Sequence, residues 1–203
     1  MARVFLKNEI TKAINSYQKT DIIAFPTDTV YGIGANIFDE EAIRKIYKTK
    51  HRSINKPLAV LCANKQQILQ VVNEIPKDIE LLIEQFMPGA LTVILSKNPN
   101  VPVYVNSGLE TIGVRIPKHE VALEILKAIG PLATTSANIS GEDNIIVGED
   151  VIELLGSEVD IIINGGVTEI GIPSTVVTIE NQEIKVLREG FISLEKIKQA
   201  LGK

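Results

Sequence analysis

The chain has no tryptophan, aromatic residues make up only 4% of it, and it contains one cysteine, Cys62, and two histidines, His51 and His119. Each scarcity closes a class of function. A single cysteine excludes an internal disulfide and any multi-cysteine metal centre. The histidines are far apart and show no ligand spacing, so a histidine-built metal site or a serine–histidine relay has weak support. Few aromatics argue against nucleic-acid recognition by base stacking. A net charge of -4 argues against binding by bulk positive charge. Neither a Walker-type phosphate loop nor a GxGxxG fingerprint occurs. No apolar run reaches membrane-spanning length, and the opening MARVFLKNEITKAINSYQK lacks the uncharged apolar core of a signal peptide. A cytoplasmic protein without membrane contact is expected.

What is present is an ordinary globular composition, 45% hydrophobic and 23% charged over 203 residues, enough to bury a real core. No repeat, low-complexity tract or linker divides it, so one domain over residues 1–203 is expected. Ile10, Ala13, Ile14 and Tyr17 lie at helical spacing and predict an amphipathic helix over 7–17. Residues 21–25 read as a strand closed by Pro26. Asp39 is placed to cap a helix whose buried stripe is Ala42, Ile43, Ile46 and Tyr47. A strand around 58–61 would bury Cys62 as a small hydrophobe. Helices are predicted near 64–72 and 77–86, the second ended by Met87-Pro88-Gly89. Strands follow at 90–95 and 111–116, a helix carries Val121, Ala122, Ile125, Leu126 and Ile129, and a strand covers 131–135. A helix near 149–155, an apolar run at 159–163, a hairpin turning at Asn181-Gln182 and a helix over 193–201 complete the pattern. Alternating helices and strands interrupted by hairpins predict an α/β fold with a twisted, open, mixed sheet and flanking helices.

Polar residues directly after apolar strands carry the chemical information, because open sheets bind ligands at strand ends. Phe25-Pro26-Thr27-Asp28-Thr29-Val30-Tyr31-Gly32-Ile33-Gly34 offers hydroxyls, a carboxylate and backbone amides on a sharp turn. Taken alone, Thr27 and Thr29 suit an ST-turn or helix cap better than a ligand contact. The segment KIYKTKHRSINK, residues 45–56, gathers cations that would suit a polyanion such as a nucleoside triphosphate. Part of that charge is explained by the helix C-terminus it trails from. Arg115 sits inside an apolar strand, where it is either half of a structural ion pair or a guanidinium fork for a carboxylate or phosphate. Ser136-Ala137-Asn138-Ile139-Ser140-Gly141 packs small residues and acceptors into a bend, read equally as a backbone turn or a ribose- or base-binding loop.

Taken in order, these segments resemble the YrdC-like threonylcarbamoyl-adenylate synthase family. The resemblance runs from the 25–34 stretch through Ile46-Tyr47-Lys48, Lys50, Arg52, Pro57-Leu58 and Met87-Pro88-Gly89-Ala90-Leu91-Thr92. It continues through Val114-Arg115-Ile116-Pro117, Ser136-Ala137-Asn138, Gly165-Gly166, Ser174-Thr175-Val176-Val177 and Leu187-Arg188. That covers about residues 22 to 190, in the manner of the short form of the family. The family's pattern is not followed at Leu61 (often histidine), Met87 (tryptophan), Asn164 (aspartate), Pro173 (glutamate) and Glu189 (proline).

The resemblance implies a concave basic face on the sheet and a reaction joining L-threonine, bicarbonate or carbon dioxide, and ATP into threonylcarbamoyl-AMP and pyrophosphate. It implies Mg²⁺ on the triphosphate without a dedicated protein site. It also implies downstream tRNA-modification proteins that complete threonylcarbamoyladenosine. Threonine would be held by Thr29, Arg115, Thr134 and Ser174. The nucleotide would be surrounded by Lys50, Arg52, Lys56, Thr111, Ser136, Asn144 and Arg188, with Lys50, Arg52 and Arg115 acting at the reacting centre. An RNA-binding or ribosome-maturation protein using the same basic face is the alternative. A carbamoyl-transfer module, known on this fold within larger hydrogenase-maturation chains, is a further one.

Overall fold

Local signals in the sequence set the helix boundaries. The Asp39 carboxylate accepts from the Ala42 amide at 2.8 Å, Asn64 Oδ1 from the Gln67 amide at 2.9 Å and Ser193 Oγ from the Lys196 amide at 3.4 Å. Each side chain satisfies an amide that a helix start leaves without a partner. The computed structural model describes residues 1–202. The chain runs through β1 (Arg3–Leu6), α1 (Ile10–Ser16), β2 (Ile23–Phe25), β3 (Gly32–Asn36), α2 (Glu40–Thr49), β4 (Ala59–Leu61) and α3 (Lys65–Val71). Then come α4 (Lys77–Phe86), β5 (Leu91–Ser96), β6 (Thr111–Arg115), α5 (Glu120–Ile129), β7 (Leu132–Ser136) and α6 (Gly148–Leu155). It closes with β8 (Ile161–Asn164), β9 (Thr175–Glu180), β10 (Glu183–Arg188) and α7 (Leu194–Ala200).

The strands form one ten-stranded sheet in the order β1-β8-β2-β3-β7-β4-β6-β5-β9-β10. It is mixed, as expected: β4 runs parallel to β6 and β5 to β9, while β3–β7, β4–β7, β5–β6 and β9–β10 are antiparallel. The β9–β10 turn has Asn181 at φ 51° and Gln182 at φ 66°, the left-handed pair that matches strand twist in a tight hairpin.

Alternation along the strands divides the core between the two faces. Ala24, Val60, Val93, Val114, Ala133 and Ile162 face one side, under the stripe of α2 and the buried residues of α4, α6 and α7. Ile23, Phe25, Leu61, Leu132, Ile161 and Ile163 face the other, where, among the described residues, the covering helices are α1 and α5, through Ala13, Val121, Ala122, Ile125 and Leu126. That second cover stops short of the far strands. The part of the sheet made by β4, β6, β5 and β9 is therefore free to line a cavity.

Two strands were not foreseen. Residues 3–6 pair in parallel with β8 at the sheet edge, a contact that local periodicity does not encode. Residues 32–36 read as a glycine-punctuated turn, yet they form β3. Glycine weakens an isolated strand, but here both neighbours, β2 and β7, hold the backbone.

Gly190 marks a close approach that shapes the site. A Cβ there would lie 2.5 Å from the carbonyl carbon of Ser174 and the amide nitrogen of Thr175, both backbone atoms. Gly190→Ala should destabilise the fold by about 1–3 kcal/mol, the usual range for overpacking. The measurement is the urea unfolding midpoint, which should fall.

Candidate active site

The uncovered strands and the loops at their ends enclose a cavity of about 370 Å³, inside the range of about 300–1,000 Å³ typical of small-molecule sites. Thr29, Arg52, Thr111, Arg115, Thr134, Ser136, Asn144, Ser174 and Arg188 all line it, although they are scattered over most of the chain. Lys50 and Lys56 do not. Among the described residues, the lining contains arginines and hydroxyls and no carboxylate.

Arg115 is half of an ion pair with Asp28 and also lines the cavity. Its Nη2 donates to Asp28 Oδ1 at 2.6 Å, its Nη1 to Thr29 Oγ1 at 3.0 Å and its Nε to Gly89 O at 2.8 Å. The pair is almost fully buried on both sides. Burial pulls the guanidinium below its ordinary pKa and Asp28 opposes that pull. Of the five N–H donors of a guanidinium, one on each terminal nitrogen is left for a ligand. Thr27 Oγ1 donates to Val30 O at 2.7 Å and accepts from the Thr29 amide at 3.2 Å. Thr27 thus braces the turn, and Thr29 presents its hydroxyl to Arg115. The same turn is held from outside, since Asp28 O and Thr29 O accept from the Ile170 and Gly171 amides at 3.0 and 2.8 Å.

Arg52 and Arg188 are cations of a different kind. Neither meets a carboxylate within salt-bridge distance among the described residues. Arg52 is fixed by backbone, donating from Nε to Lys56 O at 3.2 Å and from Nη2 to Pro57 O at 3.0 Å. Arg188 donates from Nη2 to Ser174 O at 2.8 Å and to Ser174 Oγ at 3.0 Å. Burial lowers both pKa values, and the charge of Arg52 lowers that of Arg188 further. Two near guanidinium groups without a counter-charge make a local field that an anion would neutralise.

Lys50 is the clear departure from expectation. Instead of facing the cavity, its side chain is buried, and its ammonium donates to Ser136 O and Asn138 O. The Ser140 amide donates back to Lys50 O at 3.0 Å. A lysine on the last turn of a helix looks solvated in sequence, but here the 136–140 bend folds over it and supplies acceptors. Lys56 is exposed, and its contribution is its carbonyl, which holds Arg52 and accepts from Tyr47 Oη at 3.0 Å. Lys45, also from the basic segment, donates to Thr20 O at 3.1 Å, away from the cavity.

Three participants escaped the residue-level reading. Asp28 was visible only as part of its motif. Thr92, within the expected 90–95 strand, and Asn106, for which no role was expected, line the cavity. Thr92 Oγ1 lies 2.8 Å from Ser174 Oγ. Asn106 Nδ2 bonds Leu109 O at 2.5 Å and Thr111 O at 2.7 Å. No spacing rule in the sequence marks either one. Leu61, at the position where a histidine was noted as usual, also lines the cavity and supplies only apolar surface.

The chain is thus an α/β protein with a mixed open sheet whose strand ends bring hydroxyls and guanidinium groups to one cleft. The chain belongs to the Sua5/YciO/YrdC family, described as telomere recombination, which it matches over residues 15–190. It is 40% identical over 182 residues to threonylcarbamoyl-AMP synthase of Pyrococcus abyssi, covering 89% of this chain and 54% of that protein. It is 37% identical over 196 residues to the Bacillus subtilis threonylcarbamoyl-AMP synthase, covering 96% and 57%. It therefore spans little more than half the length of these relatives. The crystal structure of P. abyssi Sua5 complexed with L-threonine superposes with a TM-score of 0.93 at 36% identity, over 99% of this chain and 61% of that one. Escherichia coli YciO gives 0.85 at 25% identity over 97% and 100%.

The buried ammonium makes a pH prediction. Burial, with Arg52 adding to it, pulls Lys50 from 10.5 down to about 8. Between those values the unfolded chain keeps a proton that the folded chain has released, so the Lys50 contribution to stability rises with pH. The difference in unfolding free energy between wild type and Lys50→Met should be flat below pH 7. It should then change in favour of wild type by up to about 1.4 kcal/mol per pH unit between pH 8 and 10. Denaturant titrations at four or five pH values measure it; a flat difference throughout contradicts the depressed pKa.

Proposed function

We propose that this chain is a cytosolic threonylcarbamoyl-AMP synthase, making the adenylate and pyrophosphate from L-threonine, bicarbonate or carbon dioxide, and ATP. The product would serve tRNA threonylcarbamoyladenosine synthesis by downstream proteins. The observation that carries this reading is one cavity holding a geometrically fixed guanidinium, Arg115 with Thr29, and uncompensated ones, Arg52 and Arg188. The first suits the carboxylate of an amino acid. The others suit phosphates. The family relatives bearing this activity, one of them crystallised with L-threonine, support the same choice.

The chemistry asks little covalent work of the protein. The neutral threonine amine forms an N–C bond to carbon dioxide and gives up a proton to water, leaving a carbamate. A carbamate oxygen then forms a bond to the α-phosphorus while the bond to the bridging oxygen breaks, and pyrophosphate leaves with that electron pair. Both reactants are anions, so the requirement is to hold them close and offset their mutual repulsion. In this proposal Arg115, Thr29, Thr134 and Ser174 orient threonine. Arg52, Arg188, Thr111, Ser136 and Asn144 surround the nucleotide, and Arg52 and Arg188 offset charge on the phosphates. Lys50 supports the bend that carries Ser136, and Lys56 supports Arg52 through its carbonyl. A carboxylate-free lining among the described residues does not fit a protein-held cation. Mg²⁺ would be carried by the nucleotide.

Pyrophosphate release should require threonine, bicarbonate and ATP together; release without threonine, or none with all three, would refute the proposal. Arg115→Ala should raise the threonine KM about tenfold or more, the effect of losing a charge-assisted hydrogen bond, with the ATP KM within about threefold. Arg52→Ala should do the reverse. Equal loss for both substrates in both variants, with native circular dichroism, would show the division of roles to be wrong.

A further inference from the structure

The row of side chains across the cavity floor contains a hydroxyl that the roles above leave unused. Val93 pairs with Val114 in the antiparallel β5–β6 ladder, so the next residue, Thr92, stands beside Arg115. On its other side Thr92 pairs with Val176 of β9, the strand that Ser174 leads into. Thr92 thus bridges the two groups assigned to the amino acid. It is buried, it lines the cavity, and its Oγ1 lies 2.8 Å from Ser174 Oγ.

Counting hydrogens on that pair restricts what it can do. A hydroxyl has one hydrogen to give and two lone pairs to accept with. Arg188 Nη2 already fills one lone pair of Ser174 Oγ, at 3.0 Å. One hydrogen is used between the two hydroxyls, whichever of them donates it. Among the described residues, the other hydrogen has no protein acceptor within hydrogen-bond distance. If Thr92 donates, both Ser174 lone pairs are filled and Ser174 can only donate onward. If Ser174 donates, the free hydrogen is on Thr92. Either way the pair offers one directed hydrogen to the cavity, and leaving such a group unpaired on ligand binding costs free energy.

We propose that Thr92 is a specificity-determining residue that acts with Ser174 as a two-hydroxyl reader, giving its one free hydrogen to the side-chain oxygen of the bound β-hydroxy amino acid. The inference rests on the threonine-dependent reading of the site. An amino acid with a methyl group (valine) or a hydrogen (2-aminobutyrate) in place of the hydroxyl leaves that hydrogen unpaired, so selection against both follows from the pair. Without Thr92, Ser174 Oγ–H is free to turn, and the discrimination weakens.

The test compares Thr92→Val, nearly the same shape without the hydroxyl, with Thr92→Ser, which keeps it. Threonine, valine and 2-aminobutyrate are titrated calorimetrically, and KM values are measured for threonine and ATP. Thr92→Val should weaken threonine about tenfold, the value of one hydrogen bond, and narrow the threonine-to-valine preference, with the ATP KM unchanged. Thr92→Ser should restore threonine affinity to within about threefold of wild type. A Thr92→Val protein with wild-type threonine affinity and selectivity overturns the proposal. So does Thr92→Ser as impaired as Thr92→Val, which would make the contribution one of packing. Wild-type protein that releases pyrophosphate without threonine, or releases none with all three substrates present, overturns the synthase reading itself, and the reader with it.

Discussion

A guanidinium that is removed from water must find its counter-charge, and in this fold that demand organises the site. Arg115 reaches Asp28 across a sequence separation of 87 residues, and the same carboxylate oxygen takes the Lys118 amide at 3.0 Å. One interaction therefore joins the turn after β2, the end of β6 and the approach to α5. Breaking such a buried pair by deleting one partner costs about 3–5 kcal/mol, a large share of the stability of a domain this size. The Thr29 hydroxyl and the Gly89 carbonyl complete the clamp. Each comes from a segment that would otherwise have no reason to be held near the others.

The paired and unpaired arginines then differ in what they can recognise. Arg115 is largely neutralised by Asp28, so its attraction for an anion is short-ranged and depends on the geometry of its remaining N–H groups. Arg52 and Arg188 are fixed by carbonyls, which orient a guanidinium without cancelling its charge. Their field acts over a longer distance and is less particular about shape. Under the proposed function, a rigid clamp for a small carboxylate beside a looser cationic patch for a polyphosphate would be a sensible division, because the small ligand has few atoms with which to express specificity.

Much of the fold was legible because its signals are local. Asp39 next to an amphipathic stripe, Asn181-Gln182 between alternating segments, and Pro26 or Pro117 after an apolar run each depend on neighbours in sequence. What was hidden depends on neighbours in space. β3 is held by strands on either side that compensate for its glycines, and β1 by an edge that only exists once β8 is in place. Lys50 shows the same limit at the level of one side chain. Its position after α2 suggests a solvated cation, but two carbonyls from residues 136 and 138 make burial tolerable and turn it into a support for the bend. Thr92 was read as a strand residue because its partner, Ser174, lies 82 residues away.

Among the described residues no serine–histidine or cysteine–histidine arrangement lines the cavity, and the proposed chemistry would need none. Cys62 is fully buried, and burial pushes its thiol well above the ordinary range, so the thiolate is not formed near neutrality. His119 stands before α5 rather than in the cavity, and burial lowers its pKa. When both reactants bring their own nucleophile and leaving group, an added enzyme nucleophile would only lengthen the route. In the proposed reaction the gain would come from preorganisation: hydroxyls and guanidinium groups already oriented by the backbone would not need to reorganise as charge moves from carbamate to pyrophosphate. That is why the positions of carbonyls such as Gly89 O, Lys56 O and Ser174 O matter to function as much as the charges they hold.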